Sequence, residues 1–331
     1  MVWLEQRPMG PPHSYVTLPP FRFTMRILVM GAGAVGGYFG SALLRGGENV
    51  TMVARGPHLD AINKNGLIIR SYKGDFTSMP TATDDPSGLG EFDVVLVAVK
   101  SYDTDRAIRT VERNVGERTM VISLQNGVEN DYHLAKAFGK ERIVGAVTYI
   151  GAEVVRPGVI DHRSAGRISL GDLPGFKKGL AERIVREFSK AGLDVKLSAD
   201  ILREKWQKLV FNAAFNSAST LTNSTFVEVA ECEDARDIAV SIVNEGMMIA
   251  SMEGIDLPRD TPESALRLAA TLGDARSSML SDRLAGRRME VDALVGFIVR
   301  RGDQYGIRTS ATETVFRLLN HIDAEMKNRA R

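Results

Sequence analysis

The sequence predicts an α/β fold that continues into an all-helical C-terminal domain, and three observations support this prediction. Short apolar runs alternate with helix-like segments through the first half of the chain, as in a parallel sheet with crossover helices. A glycine cluster directly follows the first apolar run. From about residue 200 onward, the long segments all repeat their apolar residues with a helical period.

Composition excludes several classes of protein. The chain has 331 residues, enough for two domains at roughly 100–200 residues each. Its formal charge of +1 argues against a nucleic-acid binder, which needs a basic excess. One cysteine excludes an intramolecular disulfide framework, and five scattered histidines predict no metal site. No apolar run is long enough to predict a membrane span, so we expect a cytoplasmic protein.

The first 24 residues differ from the rest of the chain. They contain five prolines and show no helical or strand period. They also lack the basic and apolar regions of a secretory signal. We predict a disordered extension or a start-codon artefact over 1–24, and the alternative is an arm that packs on a partner subunit.

The N-terminal domain is predicted over 25–197. Buried strands are expected at the apolar runs 26–30, 49–54, 94–99 and 120–124. Shorter strand-like runs are found at 143–149, 153–155, 168–170 and 194–197. Helices are expected from the glycine cluster to Leu44, over about 104–115, and near 180–190.

The C-terminal domain is predicted over 198–331 and is expected to contain helices only. Glycines and a proline separate its periodic segments. Those segments are 201–221, 228–252, 263–272, 290–305 and 310–327.

The glycine cluster after the first strand fits the pattern G-x-G-x-x-G and consists of Gly31, Ala32, Gly33, Ala34, Val35 and Gly36. In this pattern, the first glycine permits a tight turn, the second allows a pyrophosphate close to the backbone, and the third allows the helix to pack on the strand. The helix N-terminus then favours the phosphates. The position between strand and helix predicts a Rossmann-type dinucleotide-binding domain, and the alternative is a glycine-rich turn without a ligand.

The residue after the second strand indicates which dinucleotide binds. Binders of NAD usually place an acidic residue there, which holds the ribose 2′-hydroxyl. This chain has Arg55, which can pair with a 2′-phosphate. We therefore predict NADP(H) as cofactor, although a solvated surface arginine remains the alternative.

Two further polar residues follow predicted strands. Lys100 comes directly after the run 94–99, and Asn126 lies in a Gln-Asn-Gly turn after the run 120–124. Ligands of doubly wound sheets bind outside the carboxyl ends of the strands, so both side chains are candidates for contact with cofactor or substrate. Alternatively, they are an ordinary solvated lysine and an ordinary turn.

A polar row interrupts an apolar helix in the C-terminal domain. Lys208, Asn212 and Asn216 follow one another at four-residue steps, so they share one helix face. Burying a lysine and two amides is costly unless partners are supplied, and a cleft with a bound substrate supplies them. A lysine partly removed from water has a lowered pKa and can act as a general acid. The alternative is an exposed polar stripe.

Taken together, these motifs resemble the ketopantoate reductase (2-dehydropantoate 2-reductase) family over essentially all of 25–327. Besides the glycine cluster and the polar row, the resemblance rests on short motifs in the same order. These are Arg55, Val97-Ala98-Val99-Lys100, Gln125-Asn126-Gly127-Val128, Ser277-Ser278-Met279-Leu280-Ser281-Asp282 and Glu290-Val291-Asp292.

The resemblance implies roles for individual residues. Lys208 would be the proton donor, and Asn212, Asn216 and Ser278 would bind substrate. Arg55, Lys100, Asn126 and Glu290 would line the cofactor, with Asn126 also near substrate. Some members have another substrate-binding Asn where this chain has Phe226, with Asn223 nearby, and this departure bears on substrate specificity.

The implied reaction is the NADPH-dependent reduction of 2-dehydropantoate to (R)-pantoate, a step toward pantothenate and coenzyme A. The expected partners are a small 2-oxo acid and a second copy of the chain, bound through the helical domain. Two alternatives remain at this point: a paralogue that reduces another 2-oxo acid, and a non-catalytic module that senses NADPH. An opine or 3-hydroxyacid dehydrogenase would share only the first half.

Overall fold

The computed structural model describes residues 24–329. The predicted extension over 1–24 lies outside these residues except for Thr24. The described strands are β1 (Arg26–Met30), β2 (Asn49–Val53), β3 (Leu67–Ser71), β4 (Phe76–Ser78), β5 (Thr81–Thr83), β6 (Val94–Val97), β7 (Met120–Ser123), β8 (Ile143–Arg156), β9 (Val159–Gly171) and β10 (Asp194–Leu197).

The helices agree with the predicted division of the chain into an α/β part and a helical part. They are α1 (Ala34–Arg45), α2 (Gly56–Asn65), α3 (Thr104–Val111), α4 (Asn130–Phe138), α5 (Leu180–Lys190), α6 (Ile201–Phe211), α7 (Ser217–Thr222), α8 (Phe226–Glu231), α9 (Glu233–Met252), α10 (Thr261–Leu272), α11 (Ser278–Leu284), α12 (Phe297–Tyr305) and α13 (Ser310–Arg329). Two π-helical segments, Asn212–Asn216 and Asp292–Gly296, directly precede α7 and α12.

The centre of the sheet has the strand order of a Rossmann-type domain. The strands β5, β2, β1, β6 and β7 lie side by side and run parallel. The chain leaves β1 toward β2 on one side, and β6 lies on the other side. The loops after β1 and β6 therefore diverge and open a crevice, which is where such sheets bind ligands. The predicted fold class is confirmed.

The rest of the sheet differs from the expected all-parallel arrangement. Strands β8 and β9 form a long antiparallel hairpin, and β3 pairs antiparallel with β4. The runs predicted as three short strands at 143–149, 153–155 and 168–170 are parts of this one hairpin. Its glycines and register shifts interrupt the apolar pattern, so the sequence shows fragments where the backbone is continuous.

Two hydrophobic cores lie on the two faces of the sheet. In β1, Leu28 and Met30 point into one core, and Ile27 and Val29 point into the other. The second core is covered by α1 and α5. The first contains Trp206 of α6, whose ring lies 5.6 Å from a phenyl ring of α12.

The first core joins the two parts of the chain. It combines residues of the central strands, of α3 and α4, and of the C-terminal helices. Strand β10 ends at Leu197 and α6 begins at Ile201. The domain boundary between 197 and 198 stays a prediction, because side chains on both sides of it pack in one core. Within 24–329, no helix is long and apolar enough to cross a membrane.

Candidate functional site

The glycine turn between β1 and α1 has the geometry that each glycine was expected to provide. Gly31 has φ +105°, and a Cβ there would lie 2.9 Å from a methyl carbon of Val99. At Gly36, a Cβ would lie 2.1 Å from the carbonyl oxygen of Gly31. A Cβ at Gly33 would meet nothing within 4 Å. The backbone is therefore approachable at Gly33, where a pyrophosphate is expected.

A cavity of about 360 Å³ opens beside this turn. Its lining includes Gly31, Gly33, Arg55 and Asp103. The N-cap of α1 makes no side-chain hydrogen bond, which leaves the first amide groups of the helix available to an anion. Arg55 is exposed, and its Nη2 lies 4.0 Å from Oδ2 of Asp103. The glycine turn, the helix N-terminus and Arg55 thus fit a dinucleotide.

His58 is a residue of this cavity that sequence reasoning missed. The backbone amide of Gly158 donates to its Nδ1 at 3.1 Å, so Nε2 carries the proton and donates to the carbonyl oxygen of Ala32 at 2.8 Å. This imidazole connects the glycine turn to the tip of the β8–β9 hairpin. No sequence signal pointed to it, because its partners are backbone groups from distant segments.

Lys100 and Glu290 meet at the contact between the two parts of the chain. The Nζ of Lys100 lies 2.6 Å from Oδ2 of Asp282 and 3.3 Å from Oε2 of Glu290. The amide and the hydroxyl of Ser101 both donate to Oε1 of Glu290, at 2.9 and 2.6 Å. The structure therefore brings together two predicted residues and adds Asp282 and Ser101 to them.

The charges of this cluster stabilise one another. Burial favours a lower pKa for Lys100, but the carboxylates of Glu290 and Asp282 outweigh it and raise that pKa to about 12. Burial favours a higher pKa for Glu290, yet the Lys100 ammonium and the two donors of Ser101 hold it below its ordinary value. Both groups are thus charged at neutral pH, and they join the loop after β6 to the helical part.

The predicted polar row lies on a continuous helix that consists of α6, the π-helical segment and α7. Lys208 is in α6, and Asn212 and Asn216 begin and end the π-helical segment. Four residues slightly exceed one α-helical turn. A π-turn holds more residues than an α-turn, so the second step falls short of a full turn. The two deviations offset each other and keep the three side chains aligned.

The two asparagines of the row are largely buried, and their side-chain amides make no hydrogen bond within residues 24–329. Asn212 is 9% exposed and Asn216 is 3% exposed. Each amide still reaches solvent, so it can form hydrogen bonds with a bound ligand.

Lys208 is held against the sheet. Its Nζ donates to the carbonyl oxygen of Thr148 in β8 at 2.5 Å, and its side chain is only partly exposed. Burial lowers its pKa to about 8, the nearby Lys205 ammonium acts in the same direction, and Glu290 opposes them. An ammonium has three donors, so the contact with Thr148 leaves others for a ligand.

The other predicted residues, Asn126 and Ser278, differ in their surroundings. Asn126 is half-buried, and its carbonyl oxygen accepts from Nδ2 of Asn130 at 2.9 Å. Ser278 is exposed at the start of α11, where the buried Ser277 caps the helix through the amide of Leu280. Ser278 makes no polar contact with the row.

The position at which the sequence departs from the family pattern is apolar in the structure. Phe226 is 7% exposed, and its ring lies 5.7 Å from that of Phe211. Asn223 is exposed and ends α7 in the left-handed conformation. Neither residue supplies a buried amide at this point. Within residues 24–329, no group of three or more His, Cys, Asp or Glu side chains is arranged to hold a metal ion.

A Rossmann-type sheet with an open glycine turn beside a cavity is typical of an oxidoreductase that uses a nicotinamide dinucleotide. Comparison with known proteins identifies its family. The family model described as ketopantoate reductase PanE/ApbA matches residues 27–175, and the model for the C-terminal part of the same family matches residues 200–323. The chain belongs to the ketopantoate reductase family.

Individual relatives agree with this assignment. The chain is 31% identical to a 2-dehydropantoate 2-reductase of Mesorhizobium japonicum, over 91% of this chain and 98% of the relative. A ketopantoate reductase of this family from Ralstonia eutropha superposes with a TM-score of 0.85 at 32% identity, covering 92% of this chain and all of the other. A D-mandelate dehydrogenase solved with NADH superposes with a TM-score of 0.86 over 92% of this chain and 99% of its own, but its 23% identity shows a shared fold only.

The different surroundings of Gly33 and Gly36 generate a paired prediction. Gly33→Ala should fold normally, because φ is −69° and the new methyl group meets open space, but it should weaken NADPH binding about tenfold or more. Gly36→Ala should instead lower the stability by about 1–3 kcal/mol, because its methyl group overlaps the backbone. Thermal unfolding and fluorescence titration with NADPH check both variants. A Gly33→Ala variant that binds NADPH like the wild type would contradict this account of the turn.

Proposed function

We propose that this protein reduces the ketone of 2-dehydropantoate to the alcohol of (R)-pantoate, with NADPH as the reductant. The observation that carries the proposal is the row of Lys208, Asn212 and Asn216, which places a proton donor and two unpartnered amides on one helix. The names of the relatives and of the family support the same substrate.

The proposed mechanism assigns the proton transfer to Lys208. NADPH, when bound, supplies the hydride that the carbonyl carbon receives. The carbonyl oxygen gains negative charge as this happens and needs a hydrogen-bond donor and then a proton. The ammonium of Lys208 provides both. With a pKa of about 8, it is mostly protonated at neutral pH and still acidic enough to transfer its proton.

The proposed substrate-binding groups are the side chains of Asn212, Asn216, Asn126 and Ser278. The amides of Asn212 and Asn216 can donate to a carboxylate and accept from a hydroxyl, and a 2-oxo acid with a hydroxyl group offers both. Asn126 and Ser278 are further proposed substrate contacts. Asn126 follows the carboxyl end of β7, and the exposed Ser278 begins α11, so neither side chain is enclosed in the core.

The preference for NADPH rests on Arg55. Its exposed pairing with Asp103 at 4.0 Å is weak, so a 2′-phosphate can replace the carboxylate as partner. The turn residues Gly31 to Gly36, together with Lys100, Asn126 and Glu290, complete the proposed cofactor-binding set. Lys100 and Glu290 are already joined, and they hold the loop after β6 at the edge of the crevice.

The quaternary structure and the compartment are also proposals. A homodimer through the helical part would cover exposed apolar side chains of α9, namely Ile238, Met248 and Met252. Action in the cytoplasm fits the use of NADPH.

The variant Lys208→Ala removes the proposed general acid. This variant should lose about 10²–10⁴ in kcat, because general acid catalysis typically contributes that much. It should still bind NADPH, since the glycine turn is unchanged. In the wild type, ketone reduction should fall as the pH rises through about 8, because Lys208 then loses its proton. Steady-state kinetics between pH 6 and 10 measure the loss of kcat and the pH dependence.

The exposed Lys178 provides the control for this variant, and Lys178→Ala should retain the wild-type kcat and pH profile. A Lys208→Ala enzyme with kcat within a few-fold of the wild type and an unchanged pH profile would mean that another group is the acid.

The second prediction concerns the choice of cofactor. Loss of a charged hydrogen bond costs about 1.5–3 kcal/mol, so Arg55→Ala should reduce the preference for NADPH over NADH by roughly 10- to 150-fold. Calorimetric titration with both cofactors measures it. Arg70→Ala, at an exposed arginine outside the cavity, should keep the preference. An unchanged preference in Arg55→Ala would show that Arg55 does not bind the 2′-phosphate.

A further inference from the structure

A buried ion pair lies behind Lys208, and the proposed mechanism does not use it. Nζ of Lys205 in α6 lies 2.7 Å from Oδ2 of Asp131 in α4. The two side chains are 2% and 0% exposed. Removing two charges from water commonly costs more than their attraction returns, and apolar residues in such places are often at least as stable. The pair therefore needs an explanation other than stability.

The contacts of Lys205 with the sheet suggest what the pair does. Lys205 donates to the carbonyl oxygen of Ala146 at 3.1 Å, and Lys208 donates to that of Thr148 at 2.5 Å. These carbonyls belong to alternate residues of β8, so both point to the same edge. Strand β7 pairs with β8 only as far as Val144, which leaves that edge open to the two lysines.

We propose that Asp131 and Lys205 are positioning residues for Lys208, which fix α6 on β8 and favour release of the Lys208 proton to the forming alkoxide. The inference rests on the proposed function for the identity of that alkoxide. Asp131 holds the Lys205 ammonium in place, and Lys205 lies one helical turn before Lys208, with Cβ atoms about 5–6 Å apart at this spacing.

Two of the three influences on the Lys208 pKa favour release of its proton. Burial lowers the Lys208 pKa first, and the Lys205 ammonium lowers it further. Glu290, from the helical part, acts against both. From β8, the Tyr149 ring lies 5.9 Å from the Lys208 nitrogen. A neighbouring cation is an established way to obtain a reactive lysine.

The test removes the Lys205 charge while keeping most of the side-chain volume. In Lys205→Met, the Lys208 pKa should rise by about 0.5–1 unit, because a nearby like charge is lost. The pH at which ketone reduction falls, the high-pH limb of the rate profile, should rise by the same amount. The kcat near pH 7 should fall several-fold. Lys205→Arg keeps the charge and should retain the wild-type limb.

A second variant covers the case in which Lys205→Met does not fold with Asp131 left unpaired. The double variant Asp131→Asn/Lys205→Met removes both charges. The pH at which ketone reduction falls should still rise, because Lys205 and not Asp131 is among the charges that shift the Lys208 pKa. Val210→Ala is the matched structural control. It leaves a cavity in the same helix at a side chain that is 0% exposed, so it should lower the thermal stability and leave the limb unchanged.

A direct titration of Lys208 makes the inference independent of the substrate. The lysines of the full-length protein are labelled by reductive methylation with ¹³C, and the Lys208 resonance is identified by its absence from Lys208→Arg. A higher Lys208 pKa in Lys205→Met and in Asp131→Asn/Lys205→Met, with the wild-type value in Lys205→Arg, supports the inference. An unchanged Lys208 pKa in the two variants that lack the Lys205 charge, with only the loss of stability seen for Val210→Ala, overturns it. If no form of the protein reduces 2-dehydropantoate, the proposed function fails while this titration still decides the inference.

Discussion

The hydrogen bond from Lys208 to the carbonyl oxygen of Thr148 is the contact on which the rest of the site depends. It joins the first helix of the helical part to a strand of the sheet and holds an ammonium where water is partly excluded. An ammonium in such a place loses solvation, and its pKa falls to about 8. The contact exists because β8 continues beyond the end of β7, so its carbonyls are free to accept from side chains.

A second set of contacts joins the loop after β6 to the helical part. Glu290 accepts from the amide and hydroxyl of Ser101, and Lys100 lies between Glu290 and Asp282. The loop after β6 is thereby fixed to the helical part by charged groups, whereas Trp206 and its neighbours fix the same two parts through the shared apolar core. The glycine turn, Lys208 and the two asparagines are thus held in one arrangement by contacts of different kinds.

The local parts of this arrangement could be predicted from the sequence, and the non-local parts could not. The glycine turn was predictable because its requirements involve adjacent residues, and Lys208 and its two asparagines because a helix repeats regularly. The contacts of His58, Asp282 and Asp131 were not predictable, because each joins a partner far away in the chain. The π-turn at Asn212–Asn216 was also missed, since nothing in its composition distinguishes it from an α-turn. The β8–β9 hairpin was seen only in fragments, because sheet pairing depends on register between distant segments.

The central claim is that this cleft reduces a hydroxylated 2-oxo acid, and a comparison of substrates tests it most directly. The measurement is kcat/KM of the wild-type protein with NADPH for 2-dehydropantoate, pyruvate and phenylglyoxylate, with chiral analysis of the product. We expect the highest value for 2-dehydropantoate, by about tenfold or more, because only this substrate offers both a carboxylate and a hydroxyl to the amide row. The product should be (R)-pantoate. A higher value for another 2-oxo acid, or NADPH binding without oxidation in the presence of any of them, would contradict the account.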